Sequence, residues 1–214
     1  MTHRSVSPGL PSSRLAAGAH YRAPVPEPYI SVDIETSGPV PRTYSMLSLG
    51  ACLVADPRFH FYAELQPTTL EADPAALAVS GLSLERLAER GLPPEEAMRQ
   101  FAAWVGEVVP AGGQPVFVAF NAPFDWMFVA DYFRRGGVPN PFGHTALDIK
   151  ALYMGVTGEP WARTSLAEVA ARYGLSGDLP HSALEDALIQ AELFRRVRAE
   201  SLTRRSPKEP PHEP

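Results

Sequence analysis

Tyr29-Ile30-Ser31-Val32-Asp33-Ile34-Glu35-Thr36 decides how this chain is read. In an extended strand successive side chains point to opposite faces, so Ile30, Val32 and Ile34 share one face and Ser31, Asp33 and Glu35 the other. The first face can enter a core. The second presents two carboxylates side by side, which repel each other and resist burial. A divalent cation between them removes that conflict, and hard oxygen donors suit Mg²⁺ or Mn²⁺. Asp-x-Glu alone is a common pattern and reads equally well as a strand end with two solvated acids. The choice between the two readings therefore rests on the rest of the chain.

The composition admits a folded domain. Of 214 residues, 45% are hydrophobic and 20% charged, ordinary values for a globular protein with a real core. Residues 1–27 are rich in Pro, Ser, Gly and Ala, and residues 203–214 are rich in Pro and charged residues, so both ends are expected to be disordered tails around one domain at 28–202. The single cysteine, Cys52, excludes an internal disulfide and a cysteine zinc site, and fits a reducing, cytoplasmic setting. No apolar run approaches the roughly 20 residues of a membrane span, and the N-terminus lacks a secretory apolar core. The net charge of −5 argues against tight non-specific duplex binding. A metal-dependent nuclease is still compatible with it, because cations can engage phosphate where the protein is acidic.

Taken in order, Ser37-Gly38-Pro39-Val40-Pro41 makes a turn. A second strand follows at about 46–55 and a third at about 60–65, which the short connections make an antiparallel meander. In 95–109 the residues Ala97, Phe101, Trp104, Val105 and Val108 share a helical face. Val116, Phe117 and Val118 mark a buried fourth strand at 115–120. Asn121 is read as the N-cap of a helix running to Arg135, with Pro123 in its first turn and Gly136-Gly137 behind it. A short strand at 145–147 leads to Asp148, the expected N-cap of a helix from Ile149. Ser165–Tyr173 is a further helix. The last helix begins at the capping box Ser182-x-x-Glu185, with a core stripe of Leu184, Ala187, Leu188, Ala191, Phe194 and Val197.

Three acid-bearing motifs fall at these strand ends and helix starts: Asp33-Ile34-Glu35-Thr36-Ser37-Gly38, Asn121-Ala122-Pro123-Phe124-Asp125 and His181-Ser182-Ala183-Leu184-Glu185-Asp186-Ala187. In this order and spacing the chain resembles the DEDDh family of 3′–5′ exonucleases over roughly residues 28–199. That resemblance implies an α/β ribonuclease H-like fold, with a mixed five-stranded sheet of three antiparallel strands then two parallel ones, flanked by helices. It implies two Mg²⁺ or Mn²⁺ ions held by Asp33, Glu35, Asp125 and Asp186, and His181 as the general base that deprotonates the attacking water. The substrate it implies is the single-stranded 3′ end of DNA or RNA. Any proofreading role would require a polymerase or repair partner.

Other residues follow from position. Thr36 and Ser37 stand where their backbone could face a terminal nucleotide. Phe124 could stack on a base, or pack into the core as Trp126 is expected to. Val40 is a candidate wedge beside the site, and Asn121 is expected to order the second motif. The family pattern often has a His before Asn121, and here Phe120 stands there. Two competing readings remain: a non-catalytic nucleic-acid-binding module, whose usual sign would be a lost acid, and a small-substrate phosphodiesterase.

Overall fold

The opening stretch is a strand, β1 (Tyr29–Thr36), and its alternation builds the centre of the molecule. In the computed structural model, which describes residues 27–177 and 180–205, β1 is the middle of a five-stranded sheet. The others are β2 (Met46–Leu53), β3 (His60–Glu64), β4 (Val116–Ala119) and β5 (Ala146–Asp148). Their order is β3-β2-β1-β4-β5. β1, β2 and β3 pair antiparallel, and β1, β4 and β5 pair parallel, as the sequence led us to expect.

Helices cover both faces. Between β3 and β4 lie α1 (Pro74–Ser80), α2 (Leu84–Arg90) and α3 (Pro94–Val108). α4 (Ala122–Arg135) joins β4 to β5, and α5 (Ile149–Thr157), a 3-10 turn (Trp161–Arg163) and α6 (Leu166–Arg172) precede α7 (Ala183–Arg205). α3 was expected; α1 and α2 are single short helices whose ends are marked by Asp73 and Ser83 caps. α7 runs to Arg205, so residues 203–205 belong to the domain rather than to a C-terminal tail. The expected N-terminal tail lies, but for Glu27, outside the described residues.

The two faces of β1 enter two different cores. Ile30, Val32 and Ile34 pack with Leu49 and Ala51 of β2 under α3 and α4, where Phe101, Phe117, Phe128 and Phe133 fill the space. The opposite face belongs to α7. There the register sets Ser31 beside Cys52, Asp33 beside Gly50 and Glu35 beside Ser48. A side chain at Gly50 would run into the backbone of Ala183 and Leu184, so this glycine lets the first turn of α7 rest directly on the sheet beside Asp33. Ala183, Ala187 and Ala191 are fully buried and keep that approach close. The buried stripe is therefore rotated from the one expected: Asp186 and Gln190 lie on it, while Leu184 and Leu188 are only half-buried.

Candidate active site

β1 and α7 bring three acids to one point. Asp33, Glu35 and Asp186 offer oxygens that all lie within 4.8 Å of one another. Period two on β1 aims Asp33 and Glu35 at α7, and the close seat over Gly50 brings Asp186, in the first turn of α7, down to meet them. The carbonyl of Ser182 accepts from the Asp186 N–H at 2.9 Å, which starts the helix at that point.

Asp125 arrives from the other layer. β4 ends at Ala119 while β1 continues to Thr36, so the edge of β1 beyond β4 has free backbone groups. Asp125, buried in the first turn of α4, takes the N–H of Ile34 there. The N-terminal end of α4 is itself held by Asp148, whose Oδ1 accepts from the N–H of Asn121 at 3.0 Å, Ala122 at 3.4 Å and Lys150 at 3.1 Å. Asn121 holds the N-cap position the sequence suggested, but not through its side chain. It sits exposed with φ 65°, a left-handed conformation Asn tolerates, and its side chain makes no cap bond. Asp148, 27 residues away, supplies the acceptor for that helix as well as for α5, its expected partner.

Four carboxyls so placed resist ionisation. Burial, then the charges of Asp125, Asp186 and Glu35, push Asp33 well above the ordinary carboxylate range, against the pull of a hydrogen bond from Gln190. Burial likewise raises Asp125 well above that range, opposed by the backbone N–H groups of Asp125 and Ile34. Burial and then Asp186 lift Glu35 to about 7. Burial lifts Asp186 to about 6, although the nearby His181 charge opposes the rise. The Asp186 Oδ1 is buried with no hydrogen-bond partner among the described residues. Buried oxygens are normally satisfied. An orphan oxygen among mutually repelling acids is the donor set a hard divalent cation completes.

A model of the RNase T family, described as exonuclease, matches residues 30–194. The chain belongs to this exonuclease family. A curated relative, the 3′–5′ DNA exonuclease Cap18 of Escherichia coli, is 48% identical over 173 residues, covering 80% of this chain and 91% of the relative. Among solved structures, the nuclease domain of 3′hExo, a DEDDh family member bound to rAMP, aligns with a TM-score of 0.68 at 13% identity, over 81% of this chain and 92% of that one. Exonuclease I of Escherichia coli in complex with a dT13 oligonucleotide aligns with a TM-score of 0.65 at 15% identity, over 83% of this chain and 42% of that one. The protein is a 3′–5′ exonuclease.

The remaining sequence candidates distribute unevenly in this exonuclease. Phe124 is half-buried and forms, with Ile34, Thr36, Ala75 and Val79, the wall of an apolar groove that Glu35 also lines. Trp126 packs edge-on against Phe117, with centroids 5.2 Å apart, and serves the core as expected. The Thr36 hydroxyl donates to the carbonyl of Gly38. Ser37 is fully buried: its hydroxyl donates to the Glu71 carbonyl and accepts from the Ser45 N–H, and its own N–H donates to Ser45. These bonds shape the loop after β1 and leave no polar group of the Ser37 side chain for a ligand. Val40 stands exposed on that loop. His181 is exposed at φ 54°, just before α7, and its backbone N–H reaches Asp186.

Gln190 was not singled out from the sequence. Its Nε2 donates to Asp33 Oδ1 at 2.6 Å, and its Oε1 accepts the Phe120 N–H at 2.8 Å. The second bond fixes which end of the amide faces Asp33. Gln190 lies one helical turn after Asp186 on the same face, and that spacing is the signal that could have found it. Val79 and Ala75, the α1 wall of the groove, carry no motif that would have marked them.

Proposed function

We propose that this exonuclease removes nucleotides one at a time from the 3′ end of single-stranded DNA, releasing nucleoside monophosphates, with two Mg²⁺ or Mn²⁺ ions held by Asp33, Glu35, Asp125 and Asp186. The observation that carries this reading is the meeting of three carboxyls from β1 and α7 within 4.8 Å, with Asp125 of α4 near enough for its charge to act on Asp33, beside an apolar groove. DNA is favoured over RNA by the 48% identity to a relative named as a DNA exonuclease. When bound, divalent cations would neutralise the negative charge that builds on the attacking and departing oxygens of a phosphodiester.

The protein groups divide the rest of the work. The groove between α1 and Phe124 receives the terminal nucleoside, where an aromatic face accepts any base by stacking. Val40, exposed on the neighbouring loop, and the backbone of Thr36 border that nucleoside. Gln190 holds the Asp33 carboxylate in a fixed rotamer. His181, exposed beside Asp186, takes the proton from the attacking water on an imidazole nitrogen and returns it to solvent. Asn121, exposed in its left-handed turn at the start of α4, has a side chain not spent on a cap bond and offers it to the substrate. The lone cysteine is consistent with a reducing cytoplasm, since Cys52 is buried and its thiol is pushed up to about 12 by that burial.

The test is a 5′-labelled oligonucleotide, as single-stranded DNA, single-stranded RNA and duplex DNA, incubated with Mg²⁺, Mn²⁺ or EDTA beside Asp186→Ala. A ladder shortening from the 3′ end of single-stranded DNA, absent in EDTA and in the variant, is expected. Faster loss of RNA would overturn the substrate. Full activity in the variant would overturn the site.

A further inference from the structure

Trp161 is the exception among the three tryptophans. Trp104 and Trp126 pack against the core under α3 and α4, whereas Trp161 is 55% exposed in the 3-10 turn after α5. One face of its ring is covered by the ammonium of Lys150, 4.4 Å from the centroid. The same Nζ is 5.9 Å from the ring of Phe120. Lys150 is the one lysine of the described residues, and no carboxylate among them pairs with it. An exposed cation–π pair alone is an ordinary surface feature.

Its position makes it more than that. Lys150 follows Asp148, which ends β5 and ties down the start of α4. Asp148 pairs with Ala119 of β4, the residue before Phe120, and its charge is felt at Asp125. Two strand spacings of about 4.8 Å separate β5 from β1. The Lys150–Trp161 pair therefore flanks the acid cluster at the same rim of the sheet, on the β5 side. The apolar groove of Phe124 and Val79 flanks it on the side of α1.

We infer that Trp161 and Lys150 form a platform for the nucleotides upstream of the scissile phosphate, Trp161 by stacking on a base and Lys150 by pairing with a phosphate. This rests on the nuclease reading of the site and extends it to a second contact. An unpaired cation on an overall acidic protein complements a polyanion, and a flat indole with an open face accepts any base. The strand would then run from the groove across the acids to the platform.

The test uses two substrates on the full-length protein. The p-nitrophenyl ester of thymidine 5′-monophosphate offers one nucleotide and reads the acid cluster alone; a 5′-fluorescein-labelled dT15 reads the cluster and the platform. Trp161→Ala and Lys150→Gln are expected to raise KM for dT15 roughly 5- to 100-fold at little change in kcat, with hydrolysis of the ester matching the unmodified protein. Anisotropy of dT15 binding in Ca²⁺ should weaken in parallel. Lys150→Gln should also lower the slope of log affinity against log salt by about 0.7, a change a merely structural pair would not produce. Trp161→Phe, which keeps a ring, should recover most of the loss and guards against misfolding of the alanine variant. Unchanged dT15 binding and KM in both Trp161→Ala and Lys150→Gln would overturn the platform. If the unmodified protein hydrolyses neither substrate, the reading of the acid cluster fails, and the platform is then decided by the anisotropy.

Discussion

The two faces of β1 share one backbone and nothing else. Ile30, Val32 and Ile34 face a closed hydrocarbon core, fully packed by the aromatics of α3 and α4. Ser31, Asp33 and Glu35 face α7 across a layer in which the hydroxyl of Ser31 and one oxygen of Asp186 are buried without partners among the described residues. Burying apolar surface stabilises, and burying unpaired polar groups costs. One face therefore holds the fold together, and the other draws on that stability to keep four carboxyls where water would disperse them.

The sharpest way to break this division is to cut each face separately. Asp33→Ala and Asp186→Ala should each reduce exonuclease activity by far more than 100-fold, read as loss of the 3′-shortening ladder, with the far-ultraviolet circular dichroism unchanged. Phe101→Ala should do the reverse. It empties a fully buried site and should cost about 3–5 kcal/mol in denaturant unfolding, while the fraction that remains folded keeps its specific activity. Equal loss of activity in the folded Phe101→Ala protein would show that the faces are not independent.

Gly50 is where the two faces meet, because it is the point at which β2 lets α7 touch the sheet. Gly50→Ala should lift the first turn of α7 off Asp33. A displacement of about 1 Å at a reacting centre is worth on the order of 100-fold in rate, and the overpacking should cost roughly 1–3 kcal/mol. Activity and thermal stability should both fall, activity by more. A fully active Gly50→Ala would mean that Asp186 does not depend on this contact.

Gln190→Leu should have a smaller effect. The substitution removes the donor to Asp33 Oδ1 and leaves the Phe120 N–H unpaired. Partners that orient a metal-binding carboxylate are worth about 10–100-fold in metal affinity or activity. The expected result is a higher Mn²⁺ concentration at half-maximal rate, with kcat recovering at excess metal, and a matching loss in calorimetric Mn²⁺ binding. Loss of kcat at every metal concentration would instead assign Gln190 to the fold.

These residues also show what a sequence can display. The alternation of β1 is legible because period two is imposed by the backbone, and the three acid motifs are legible because their acids stand in order at strand ends and helix starts. Phe101 and its helical face read correctly for the same periodic reason. Gly50 and Gln190 were silent because their roles are set by register and by an i+4 position facing inward, neither of which changes composition. Asn121 takes the N-cap position its chemistry suggested, yet its side chain makes no cap bond. The acceptor came instead from Asp148, across a sheet edge that no local pattern reveals. Leu184 and Leu188 misled because a helix that buries an acid and an amide on its inner face must turn leucines partly outward.

The smallest effect follows from the energetic difference between the faces. A carboxyl whose pKa is higher in the folded than in the unfolded chain favours folding while protonated, and that contribution is lost as pH rises through the folded value. Glu35 rises from 4.5 to about 7 and Asp186 from 3.8 to about 6, and Asp33 and Asp125 shift the same way. In EDTA the melting temperature should therefore fall between about pH 4 and 7 and stay low above it. A domain of this size moves about 2–4 °C per kcal/mol, and partial exposure of Glu35 screens its share, so a drop of several degrees is expected. Glu200, held down to about 2 mainly by Arg172, contributes with the opposite sign between about pH 2 and 4.5, so the fall is read above about pH 5. Mg²⁺ at pH 8 should restore the lost degrees, and Asp33→Asn should raise the melting temperature in EDTA at pH 8 while eliminating activity. A melting temperature flat from pH 5 to 8 without metal would mean that the acid face carries no such strain, and that the hydrocarbon face of β1 is not offsetting it.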